Sequence, residues 1–269
     1  MLSFLVIYAF IAGDVAAAAA FLFVPDFSQI DADTVLLAVG QAFFSLGIGL
    51  GVLLTIGAYM DSKSSILRAS IVVAAADAGV AILAGLAIFP IVFANGLSPA
   101  EGPGLIFATL PVAFGQMPAG AVLGPMFFLL LAIAALTSAI TILETIVSVI
   151  EDFTDLSRHR IVLMVTILLW IAGLGTVFSF SSLQDFHPLG FIPAFESRNI
   201  FESTDYIVSN WMMPAGGVLV AVLAGWGLGR TATLGELQMP DGRLYKTWRF
   251  LVRYVVPVAI SMVFLVNLN

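Results

Sequence analysis

Apolar positions in this chain gather into seven long blocks, with the polar residues collected between them rather than alternating at short period. The blocks cover residues 1–24, 35–60, 66–95, 120–150, 159–181, 206–229 and 247–268. Each approaches or exceeds the ~20 residues that a helix needs to cross the hydrocarbon of a bilayer. No water is available at that depth, so a spanning segment has to satisfy its own backbone, and an α-helix does so. The pattern therefore predicts an all-α membrane protein: one transmembrane domain over residues 1–269 with seven spanning helices. Connection 96–119 is rich in Pro and Gly but contains the apolar run Leu105 to Phe114. It is long for a simple connector and is expected to dip into the protein or cap an entrance. The first block opens at Met1 with no basic stretch ahead of it, which argues against a cleavable signal peptide. An odd number of spans opening so abruptly is expected of part of a larger protein.

One block is weaker than its neighbours. Gln41-Ala-Phe-Phe-Ser-Leu-Gly-Ile-Gly-Leu-Gly51 places three glycines and a serine at membrane depth. Two readings fit. The helix of block 35–60 breaks at its centre and lines a polar cavity, as discontinuous helices of secondary transporters do; or Gly47 and Gly51 form a small-xxx-small packing face on an intact helix.

Composition sharpens the class. The chain is 61% apolar and 10% charged, with a mean hydropathy of +1.09, against ~45–50% and ~25% in soluble proteins. There is no cysteine, hence neither a disulfide framework nor thiolate metal chemistry, and two histidines are too few for a metal cluster. Charge sets orientation. Lys63, Arg68, Arg158, Arg160, Arg230, Arg243, Lys246, Arg249 and Arg253 all fall in or beside every second connection, and Arg198 alone falls on the other side. The positive-inside rule then puts the N-terminus inside and the C-terminus outside. Loop 96–119 and the acidic residues Asp26, Asp31, Asp33, Glu101, Asp185, Glu196, Glu202 and Asp205 fall outside.

Block 120–150 carries a polar stripe. Thr137, Ser138, Thr141, Glu144, Thr145, Ser148 and Asp152 recur at helical spacing, so they share one face. Either the stripe faces protein or water, or its hydroxyls bond to carbonyls one turn back along their own helix. The second reading leaves Glu144 unexplained, because an ionised carboxylate at the bilayer centre costs at least ~2.5 kcal/mol; Glu144 is expected to be paired, protonated or beside a solvated path. Asp77 is the one charge deep in block 66–95, and its natural partner is a cation, a proton or a helix N-terminus. Asp14 reads as interfacial or water-facing. Asp205 stands at the start of block 206–229, where the macrodipole alone would favour a carboxylate as a cap.

Together these motifs become specific. Ala38 to Gly51, the loop Gly102-Pro-Gly-Leu-Ile-Phe-Ala-Thr-Leu-Pro111 with Gln116 beyond it, and Leu136-Thr-Ser138 ahead of Glu151-Asp152 closely resemble the neurotransmitter:sodium symporter family, and its bacterial amino-acid carriers in particular. The likeness covers nearly the whole chain, in order and separation, and corresponds to the family's fifth to eleventh membrane helices. The fifth helix of that family also starts in the cytoplasm, in agreement with the charge-derived orientation.

The resemblance implies part of an inverted-repeat amino-acid symporter fold and a role for each matching residue. Phe44 resembles the aromatic lid over the substrate, and Ser45 the hydroxyl of the unwound helix that ligates a first sodium. Ala134, Thr137 and Ser138 resemble the contribution of the family's eighth helix to a second sodium. Gln41 and Asp77 fall in the region that binds chloride in animal members, and Asp77 is open between sodium ligand and built-in chloride substitute. The substrate pocket would be formed by Phe44, Ser45, Gly47, Leu50, Ser138 and Ile142. Gly47, where many relatives have serine, widens it toward a bulky apolar or aromatic amino acid. Asp205 resembles the acidic half of the outer gate, and Tyr59 with Asp152 the inner gate; their arginine partner in the family precedes the stretch matched here.

The implied function is sodium-coupled symport of an amino acid by alternating access in the cytoplasmic (inner) membrane. It needs neither covalent chemistry nor a cofactor, and its partners are the amino acid, Na+ and the lipid bilayer, with no nucleic acid. A second expectation is an incomplete fragment or split half, inactive alone, with the first four helices on a separate chain. A third, an ion channel, has only the polar stripe in its favour.

Overall fold

The computed structural model describes residues 1–61, 64–99 and 104–266. Lys63, Glu101, Gly102 and Pro103, and residues 267–268 at the end of the seventh block, lie outside the described residues. Among the described residues every regular element is helical. Five helices among the described residues are long and apolar enough to cross a membrane: Ile66–Ala94, Gly120–Phe153, Arg158–Phe178, Ile200–Gly227 and Arg243–Phe264.

The first two blocks depart from straight spans. Block 1–24 forms α1 (Leu2–Ala12) and α2 (Val15–Phe23), bent by 117°. The bend has a local cause. Gly13 is extended, with φ −106° and ψ 172°, and Asp14 caps α2 by accepting from the Ala17 amide at 3.0 Å. The Asp14 amide donates to the Pro90 carbonyl at 2.9 Å, so Asp14 is a helix cap. Block 35–60 forms α3 (Ala32–Ser45), capped by Asp31, and α4 (Val52–Ala58), with non-helical chain between them.

Helices α5 (Ile66–Ala94), α6 (Leu110–Gln116), α7 (Gly120–Phe153) and α8 (Arg158–Phe178) follow. The sixth span is α9 (Ile200–Tyr206) and α10 (Met213–Val222), joined by a π turn over Ile207–Met212 and extended by another over Leu223–Gly227. It starts six residues before the sequence boundary at 206, because Asn199 and Glu202 form a reciprocal capping box at its N-terminus. Then come α11 (Arg230–Leu237), α12 (Arg243–Phe250), a π turn over Leu251–Val255 and α13 (Val256–Val266).

The chain forms two compact units, Met1–Gln29 with Ile71–Ala139, and Ile30–Ser70 with Ile140–Asn269. The first packs Leu5 and Ala9 of α1, Ile91 and Val92 of α5, Leu110 and Phe114 of α6 and Leu123 of α7 into one core. The described part of the long connection is thus built into the protein. In the second, α10 packs on α13 and α13 on α3, while Val147 of α7 and Ile161 and Val165 of α8 form a small core. Leu168, Trp170 and Leu219 stay 68%, 66% and 69% exposed on the long helices, the surface expected where lipid replaces water.

Candidate functional site

The interruption between α3 and α4 lies in the second unit. Gly47, Gly49 and Gly51 have φ of +63°, +93° and +80°, the left-handed region that other residues enter only with strain. The backbone bonds here are turns: Gly47 N–H to Phe44 at 3.1 Å, Ile48 N–H to Phe43 at 3.0 Å and Leu50 N–H to Gly47 at 3.4 Å. Among the described residues no backbone N–H reaches the carbonyls of Leu46, Ile48 or Gly49. Dihedral demand, not helix packing, explains Gly47, whose absent Cβ would meet nothing within 4 Å.

Close packing falls on Gly49 instead. A Cβ there would lie 2.2 Å from the Met213 carbonyl oxygen, and one on Gly216 would lie 2.1 Å from the Gly49 oxygen. A Cβ on Gly217 would lie 2.7 Å from the Phe43 ring. The interrupted backbone is therefore seated on α10, and only glycine fits on both sides of the contact.

Above this seat opens a cavity of about 340 Å³ whose lining includes Gln41 and Phe44 of α3, Asp205 of α9, Ser209 and Asn210 of the first π turn, and Ile260 of α13. Three sequence-predicted residues, Gln41, Phe44 and Asp205, share it. Asp205 is not a helix cap, since the helix begins at Ile200; its carboxylate accepts from Ser209 Oγ at 3.1 Å. Stacking fixes the start of this span: the Arg198 guanidinium lies 3.7 Å from the Tyr206 ring centroid, and Phe195 meets Tyr206 edge-on at 5.3 Å.

The stripe on α7 divides into two behaviours. Its hydroxyls bond back along their own helix: Thr137 Oγ1 to the Ala134 carbonyl at 2.8 Å, Ser138 Oγ to the same oxygen at 3.2 Å, and Thr145 Oγ1 to Thr141 at 3.2 Å. Ala134, Thr137 and Ser138 thus gather one carbonyl and two hydroxyls. Glu144 is instead paired. Its carboxylate accepts from the Tyr59 hydroxyl at 2.7 Å and from Arg158, which also donates to Glu151 at 2.9 Å. Tyr59 goes to Glu144 rather than to Asp152, which is exposed. Arg158 was not singled out by spacing; it stands 14 residues from Glu144, on another helix.

The remaining candidates fall as follows. Ser45 ends α3, Leu50 and Gly47 are half-buried within the interruption, and Ile142 on α7 is 43% exposed. Asp77 lies mid-way along α5 in the first unit.

Among the described residues no three His, Cys, Asp or Glu side chains cluster as a metal site. The carbonyls and hydroxyls of the interruption and of α7 are neutral hard oxygens that suit a small hard cation held reversibly.

Comparison with known proteins adds the context. The model of the "Sodium:neurotransmitter symporter family" matches residues 1–268. The uncharacterized sodium-dependent transporter YhdH of Bacillus subtilis is 34% identical over 248 residues, covering 91% of this chain and 53% of that protein. The sodium-dependent dopamine transporter of Bos taurus is 28% identical over 190 residues, 65% of this chain and 27% of that one. The crystal structure of MhsT in complex with L-phenylalanine superposes with a TM-score of 0.85 at 38% identity, covering 99% of this chain and 59% of that one. The chain spans about half the length of the curated bacterial relatives it matches.

Proposed function

This chain belongs to the sodium:neurotransmitter symporter family, and from that premise we propose that it works in sodium-coupled symport of an amino acid across the cytoplasmic membrane. The observation that carries the reading is the interruption of block 35–60. Carbonyls of Leu46, Ile48 and Gly49 are released from helical bonding just after α3, whose Gln41 and Phe44 line a cavity with Asp205. Interrupted helices of secondary transporters present backbone in this way, and sodium binding that favours one arrangement couples the downhill ion to the cargo. Ser45 is the proposed ligand of a first sodium, and Ala134, Thr137 and Ser138 of a second, with Asp77 as a further sodium ligand or chloride substitute near the role of Gln41. Phe44, Ser45, Gly47, Leu50, Ser138 and Ile142 are the proposed contacts of the cargo. Asp205 serves the outer gate, and Tyr59 with Asp152 the inner one. The N-terminus faces the cytoplasm and the C-terminus the outside.

The preferred cargo is a bulky apolar or aromatic amino acid. Open space at the missing Gly47 side chain supports this, as does the L-phenylalanine complex of MhsT. In a second reading this chain is one part of the transporting unit, favoured by its covering 53% and 52% of two bacterial relatives. Uptake of radiolabelled L-phenylalanine and L-leucine into proteoliposomes holding this chain, under an inward sodium gradient, tests both. Uptake that vanishes when potassium replaces sodium supports symport by the chain itself. Absence of uptake, with or without sodium-dependent binding, supports the second reading, and uptake that persists unchanged in potassium contradicts sodium coupling.

A further inference from the structure

The connection after the span Ile200–Gly227 folds into a platform. Leu237, Met239 and Tyr245 are buried together, with Leu67, Leu234 and Trp248 packed against them. The Tyr245 hydroxyl lies 2.7 Å from Thr233 Oγ1 and accepts from Arg249 at 2.6 Å; Arg249 also donates to the Leu228 carbonyl at 3.3 Å. Arg230 pairs with Asp241, and that carboxylate pushes the guanidinium pKa up from its ordinary value. Arg253 donates to the Gly225 carbonyl. Three of the cations here are therefore engaged by oxygens of the protein.

Two others are left over. Arg243 and Lys246 stand one helical turn apart on the outer face of α12, both exposed, and among the described residues neither forms an ion pair or side-chain hydrogen bond. Arg68, beside Leu67, is exposed as well, and Glu236, the other carboxylate of this connection, is exposed and unpaired among the described residues. The same stretch of α12 exposes Leu244 at 60% and Phe250 at 57%. The rule that cations collect on one side of a membrane accounts for their presence but not for this pairing of free cations with bare apolar side chains. Arg158, on the same side, is taken by two carboxylates.

Cations interleaved with exposed leucine and phenylalanine, on a packed connection between two spanning helices, match an anionic amphiphile better than a free anion. A phosphate meets the cations while the acyl region covers the apolar side chains. We propose that Arg243 and Lys246 hold the phosphate of an anionic phospholipid, with Leu244 and Phe250 against its acyl region. The full chain, reconstituted in nanodiscs of mixed phosphatidylglycerol and phosphatidylcholine and then re-extracted in mild detergent, tests this by mass spectrometry of the lipid retained. The expected result is enrichment of phosphatidylglycerol that falls roughly thirtyfold in Arg243→Gln/Lys246→Gln and is unchanged in Arg160→Gln. Inorganic phosphate at millimolar concentration is expected to leave the enrichment intact. Equal retention of the two lipids, an unchanged double variant of native circular dichroism, or displacement by inorganic phosphate would each overturn the proposal, the last by identifying a free-anion site.

Discussion

The α3–α4 segment and α7 both bring polar residues to membrane depth, and they resolve the same difficulty in opposite ways. In α7, 34 residues run as one helix with Thr137, Ser138, Thr145 and Ser148 in its length. Their hydroxyls fold back onto carbonyls three or four residues earlier, so the helix tolerates them. Between Ser45 and Val52 the helix stops, because Gly47, Gly49 and Gly51 adopt a left-handed backbone. Hydroxyls satisfy a helix from within; glycines at alternate positions dismantle it and release backbone oxygen. The two regions meet where Tyr59, just beyond α4, donates to Glu144 of α7.

The comparison is broken most severely by filling the seat. Gly49→Ala combines a left-handed alanine with a 2.2 Å approach to the Met213 carbonyl, which should cost roughly 3 kcal/mol or more. Thermal unfolding in detergent should show a large drop in Tm and, under the proposed function, loss of sodium-dependent binding. Gly216→Ala meets the same contact from the other side, at 2.1 Å from the Gly49 oxygen, and should act alike. An unchanged Tm in both would mean that α10 does not seat the interruption.

Next in size is Arg158→Ala, which removes the cation held by Glu144 and Glu151 and leaves the Tyr59–Glu144 bond alone. Its Tm should fall further than that of Arg160→Ala, and adding Glu144→Gln should recover part of the loss by removing the uncompensated charge. A smaller effect is expected at Gly47→Ser. The left-handed φ of +63° costs about 1 kcal/mol, and the new side chain enters open space. Competition binding should then favour leucine over phenylalanine relative to the parent. Smallest in stability is Ser138→Ala, which removes a hydroxyl bonded to its own helix. Its Tm should shift by less than about 0.5 kcal/mol equivalent, while sodium affinity falls if the second-sodium role is right.

Much of this was legible beforehand, for identifiable reasons. Five of the seven blocks became continuous helices because long apolar runs have one solution in a bilayer. The interruption was one of two readings of the three glycines at alternate positions, and spacing alone did not separate it from a packing face. The capping box Asn199/Glu202 was present in the sequence too, and with it the start of the sixth span at Ile200, but it lies outside the apolar run that set the boundary. The 117° bend at Gly13 has local causes, but it is braced by Pro90 of a distant helix, whose carbonyl accepts from the Asp14 amide. No local pattern could reveal that, nor the seat formed by Gly216, nor the pairing of Glu144 with Arg158. These depend on which elements meet in space.

Hydrogen exchange across residues 45–51, followed by mass spectrometry in matched sodium and potassium buffers, bears most directly on the claim that this backbone is kept open for a cation. Fast exchange in potassium that slows in sodium, with the centre of α7 protected in both, is the predicted result. Exchange at 45–51 as slow as in α7 and indifferent to sodium would contradict it.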